Sequence, residues 1–94
     1  MRLLFKGRTA TLDSLDVHVT TLNPGKAPHP PHKHLNEELL IIKEGTLEVL
    51  DNGETKRAGP GSVVFITVNQ LHGIRNPGPG TVTYYVVGWI SQRS

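Results

Sequence analysis

The sequence predicts an all-β domain, a sandwich or barrel, and three observations carry that expectation. Its apolar residues fall either at period two or in short runs of four, the patterns of half-buried and fully buried strands. Turn formers are in excess: the chain has 10 Gly and 7 Pro in 94 residues, where average usage gives about eleven of the two together. No stretch shows a clean 3.6-residue period, and both residue types break helix interiors, which argues against a helical bundle. The length suits a single domain covering 1–94, since two cores would each be too small to hold without staples. Cysteine is absent, which removes disulfides, thiol nucleophiles and Cys-based zinc or iron–sulfur sites.

The elements follow in chain order. Leu3, Leu4 and Phe5 form an apolar block beside the N-terminus, read either as a first strand on the domain's own core or as a contact with a second copy. From Leu15 to Thr21, Leu15, Val17 and Val19 alternate with Asp16, His18 and Thr20, as in a strand with one face buried. Leu39-Leu40-Ile41-Ile42 and Val63-Val64-Phe65-Ile66 are continuous apolar runs bounded by turn residues, so they are expected to be covered on both faces. Thr46 to Leu50 and Glu54 to Arg57 flank Asn52-Gly53, the pair that tolerates the positive φ angles of a tight hairpin turn. Gly59-Pro60-Gly61 and Asn76-Pro77-Gly78-Pro79-Gly80 punctuate the next pair of elements. Thr81 to Ile90 is rich in β-branched and aromatic residues and closes the chain as a long strand. The sum is eight to ten strands.

Charge excludes more than it suggests. Ten Lys and Arg against eight Asp and Glu give +2 and a pI near 9.2, but the basic residues are scattered. No basic run interleaved with aromatics supports nucleic-acid binding. No segment approaches the ~20 apolar residues that span a bilayer, and the Leu3–Phe5 block is shorter than a secretory core of roughly 7–15 residues. The expectation is a cytoplasmic protein with no nucleic-acid or membrane partner.

Chemistry concentrates in PHPPHKHLNEE. Three of the five histidines, His29, His32 and His34, sit there, and Pro28, Pro30 and Pro31 forbid a helix. Side chains two apart share a face of an extended strand, so His32, His34 and Glu38 point together and Glu37 points away, provided no bulge intervenes. A helix would set His32 and His34 about 200° apart. Two imidazoles and a carboxylate on one face suit Fe, Mn, Ni, Cu or Zn as divalent ions, and His72 is the candidate fourth donor from another strand. The bland alternative is a surface histidine pair beside a solvated Glu37-Glu38. His29, an odd step and two prolines away, reads as a rim or turn residue. His18 reads as solvent-facing or at the polar side of a second sheet. Tyr84, Tyr85 and Trp89 read as core or dimer contacts before pocket residues.

His32-Lys33-His34, three residues, Glu38, six residues and Gly45 resemble the first motif of the cupin superfamily, H-x-H-x3-E-x6-G. Gly61, ten residues, His72, three residues and Asn76 are similar to the second, with Thr67 and Asn69 standing where the family usually has Pro and Gly. The resemblance implies a jelly-roll-type cupin barrel of two antiparallel sheets, with a metal held by His32, His34, Glu38 and His72 in its mouth. It implies that Asn76 supports the turn after His72. It also implies a homodimer, formed through a sheet edge or an exchanged terminal strand. Such a site holds three nitrogen donors and one carboxylate and leaves positions open for a small-molecule ligand. The leading expectation is a metal-dependent oxidoreductase of dioxygenase type acting on a small organic substrate, with Glu38 a possible base. The alternatives are a non-catalytic metal or small-ligand binding module and a Lewis-acid isomerase on the same site.

Overall fold

The computed structural model describes residues 1–28, 36–51, 53–67 and 71–92. His29, His32, His34, Asn52, Asn69 and Gln70 lie outside the described residues.

Eight strands are described: β1 (Arg2–Gly7), β2 (Leu12–Leu22), β3 (Glu37–Glu44), β4 (Leu47–Asp51), β5 (Glu54–Ala58), β6 (Val63–Ile66), β7 (His72–Arg75) and β8 (Val82–Ser91). They form a five-stranded sheet in the order β1-β2-β8-β3-β6 and a three-stranded sheet in the order β5-β4-β7. Every pairing is antiparallel. Among the described residues no helix is long and apolar enough to cross a membrane. The expected hairpin is β4–β5, and Gly53 in its turn takes φ 91°, open to glycine at little cost.

The core lies between the sheets. Leu40 and Ile42 of β3, Leu47 and Val49 of β4, Ile66 of β6 and Val82, Tyr84 and Val86 of β8 are buried there. Each fully buried aliphatic side chain of this size contributes about 1.5–3 kcal/mol. In β2, β8, β3 and β6 the inward residues are even-numbered, and register confirms it: His18, Val86, Leu40 and Val64 pair side by side across those four strands.

This parity corrects two expectations. The alternation in β2 is real, but its apolar half faces out: Thr20 and Leu22 are buried, whereas Leu15, Val17 and Val19 lie on the opposite face. The apolar runs in β3 and β6 are covered on one face only, because Ile41, Val63 and Phe65 are exposed. Period two identifies two faces of a strand, and only tertiary pairing decides which one meets the core. Leu3, Leu4 and Phe5 do form a first strand, yet remain 52%, 43% and 47% exposed. They extend the sheet's edge and add nothing to the core.

Asn76 ties the ends of β2, β7 and β8 together. Its side-chain amide donates to the carbonyls of Leu22 at 2.9 Å and Gly80 at 2.8 Å, and its carbonyl accepts from Gly78 N–H at 2.8 Å. It is 1% exposed, so a truncated side chain leaves buried partners that water cannot reach. Asn76→Ala is expected to cost about 2–4 kcal/mol, measured by urea unfolding. A loss below about 1 kcal/mol contradicts this assignment.

Candidate functional site

A cavity of about 470 Å³ opens between the two sheets, its wall drawn from both. Leu22, Leu40, Ile66, Ile74 and Val86 give it an apolar lining, into which His18, Thr20, Glu38, His72 and Tyr84 bring polar atoms. Its volume and the mix of a greasy wall with few polar groups suit a small organic ligand.

Glu38 arrives on β3, inward with Leu40 and Ile42, where strand parity puts it. Its register partner on β8 is Gly88, and a Cβ at Gly88 would sit 3.6 Å from Glu38 Oε2 and 3.1 Å from Asn36 Nδ2. The missing side chain therefore leaves room for the Asn36 amide, while towards the carboxylate a Cβ would make only an ordinary contact. His72 arrives from the other sheet as the first residue of β7 and is 4% exposed. Its Nε2 lies 3.8 Å from Glu38 Oε1.

That separation is compatible with a shared ion. Two donors each about 2.1 Å from one metal lie about 3.0 Å apart at a right angle and about 4.2 Å apart when opposed. Two of the four expected donors, His32 and His34, fall outside the described residues. Among the described residues, no group of three or more His, Cys, Asp or Glu side chains is close enough to hold a metal. Glu38 and His72 are the part of the expected set that the described structure brings together.

Two cavity residues differ from the leading expectation. His18, expected in solvent or on the polar side of a second sheet, lines the cavity with its Nδ1 3.6 Å from Asp16 Oδ1. Tyr84, expected as a core or dimer contact ahead of a pocket residue, is both core and cavity wall at 1% exposure. Its phenol is pushed up to about 12, first by burial and further by the Glu38 carboxylate, while a hydrogen bond with Thr20 opposes the shift. The phenol therefore stays protonated at neutral pH and keeps a proton to donate. The signal that would have found both is parity with Glu38 across β2–β8–β3, which cannot be read until the strand order is known. Tyr85 and Trp89 point away from the cavity, on the outer face of the large sheet.

Similar folds occur in solved structures. A Cupin 2 conserved barrel domain protein from Salinispora arenicola is 24% identical with a TM-score of 0.73, covering 80% of this chain and 62% of its own. The chain thus spans about three fifths of that protein's length. The Cupin_2 domain of an XRE family transcriptional regulator from Enterobacter cloacae is 24% identical with a TM-score of 0.72, covering 84% of this chain and 83% of its own. A double-stranded beta-helix domain protein from Klebsiella pneumoniae is 21% identical with a TM-score of 0.80, over 100% of this chain and 75% of its own. Comparison with curated protein sequences gives no significant match. The cupin domain family matches residues 18–88, from the cavity histidine of β2 to the glycine beside Glu38. With most of the chain inside that match, and with the fold found independently, this chain belongs to the cupin domain family.

Proposed function

We propose that the cavity is a metal site of the chain, held by His32, His34, Glu38 and His72, and that it takes a small organic molecule. The observation that carries the reading is the convergence of Glu38 and His72 from opposite sheets on one cavity, 3.8 Å apart. The pairing of neutral imidazoles with one carboxylate fits Fe, Mn, Ni, Cu or Zn. A redox-active ion held there would supply activation of a chelating substrate towards O2, and a dioxygenase-type oxidoreductase is the reaction proposed.

The chain's own residues then have separate tasks. Leu40, Ile66 and Val86 hold the apolar part of a ligand and exclude water. The Tyr84 hydroxyl, kept protonated, can donate a hydrogen bond to a ligand oxygen. Glu38 is the group placed to take a proton when it is not engaged as a donor to metal.

Oxygen uptake by the metal-loaded protein, measured with a panel of flavonols, diketones, thiols and enediols, tests the reaction. Uptake with at least one class, lost in His72→Ala, is the expected result. Binding of such ligands without uptake supports the second reading, a non-catalytic ligand-binding module. The likeness to the cupin domain of a transcriptional regulator favours that alternative.

A further inference from the structure

One polar series on the inner face of β2 has no part in the metal site. Asp16, His18 and Thr20 stand two residues apart there, opposite Gly88, Val86 and Tyr84 of β8. His18 lines the cavity and turns Nδ1 towards Asp16 Oδ1 at 3.6 Å. That oxygen is shut off from water and has no hydrogen-bond partner among the described residues, although the Asp16 side chain as a whole is 38% exposed. A buried acceptor without a donor is costly, and the imidazole is the donor at hand. A shift of about half an ångström brings it into hydrogen-bond range. The register partners of His18 on the flanking strands, Leu3 and Val86, are uncharged. The other titratable side chains along the described cavity wall are Glu38, His72 and Tyr84.

We propose that His18, oriented by Asp16, is the proton acceptor for a cavity ligand, and that this ligand carries a phenol- or enol-type hydroxyl on an apolar body. This role presupposes that the cavity holds a ligand, as proposed above, but not that it holds a metal.

Asp16 favours the tautomer with its proton on Nδ1, which leaves the Nε2 lone pair for the ligand. The ligand O–H bond breaks, its electron pair stays on oxygen, and the proton passes to Nε2. The imidazolium so formed lies between the Asp16 carboxylate and the new oxyanion, so each new charge has an opposite neighbour. Imidazole suits a phenol or enol in this exchange. An aliphatic alcohol is too weak an acid to yield its proton, and a carboxylate arrives already ionised. Leu40, Ile66 and Val86 meet the apolar body. His18 stands two strands and one residue row from Glu38, about 12 Å between Cα atoms. The hydroxyl it meets is therefore at the end of the ligand away from Glu38.

The colour of para-nitrophenol distinguishes phenol from phenolate and makes it the probe. The full chain is freed of metal with chelator, so that no ion competes for the phenolate. The buffer is just acidic enough to keep the free probe in its phenol form. The parent is expected to bind the probe as phenolate, and so is His72→Ala. His18→Ala and Asp16→Asn are expected to bind it as neutral phenol and about 10–100-fold more weakly, as loss of a charge-assisted hydrogen bond implies. Their thermal melts should stay cooperative, which separates this loss from unfolding. Phenolate bound with parental affinity by His18→Ala or Asp16→Asn overturns the dyad and leaves the cavity a ligand site. A parent that binds no probe overturns both.

Discussion

A single methyl group at Gly45 is expected to destabilise this domain by at least about 3 kcal/mol, lowering the melting temperature by about 12 °C or more. Gly45 closes the turn between β3 and β4 with φ 79°, a conformation that costs any L side chain about 1 kcal/mol or more. Space adds the larger part. A Cβ there would collide with the Thr81 carbonyl oxygen and stand 2.9 Å from Val82 Cα and 3.1 Å from Val82 Cβ. These are atoms at the start of β8, and Val82 is fully buried, so no flexible side chain can yield. Gly53→Ala is the control: φ is 91°, but nothing lies within 4 Å of the new methyl. Thermal melts of both variants decide the matter. Equal losses would mean that the backbone angle alone sets the cost and that the contact with β8 contributes nothing.

The second large effect concerns metal affinity. His72→Ala and His34→Ala are each expected to weaken binding of a divalent ion by more than about 100-fold, since loss of an outer partner alone costs about 10–100-fold. His18→Ala and His29→Ala are expected to stay within a few-fold of the parent. His18 is the informative control because it lines the same cavity without being one of the expected donors. Titration with Mn, Ni and Zn, followed calorimetrically, separates the two pairs. Similar affinities in all four variants would remove His72 and His34 from the site.

Much of this was legible in the residues, for identifiable reasons. Strand positions depend on local period and turn chemistry, so β6 falls where its apolar run stands and the β4–β5 hairpin closes at Gly53. The inward placement of Glu38 follows from the same parity that buries Leu40 and Ile42. What the residues concealed was orientation between strands. Val17 and His18 alternate perfectly, yet nothing local says that the valine faces out and the histidine in. That depends on β2 pairing with β8, some seventy residues away, and on a cavity with a few polar groups in place of a dry core. The apolar outer face was hidden for a related reason. A run such as Leu39–Ile42 specifies two covered faces and leaves open whether the second cover belongs to the same chain. Asn76 was readable as a turn support through the second motif, but its three hydrogen bonds to Leu22, Gly78 and Gly80 needed the assembled fold.

The central claim is that His32, His34, Glu38 and His72 form one metal site, and metal content tests it most directly. Elemental analysis of the full chain, purified without chelators or a metal-affinity tag, is expected to find close to one first-row divalent ion per chain, and close to none in His72→Ala. The identity of that ion separates redox from Lewis-acid chemistry. Metal-free protein that takes up no Fe, Mn, Ni, Cu or Zn on anaerobic loading would contradict the claim, as would a His72→Ala variant that carries as much metal as the parent.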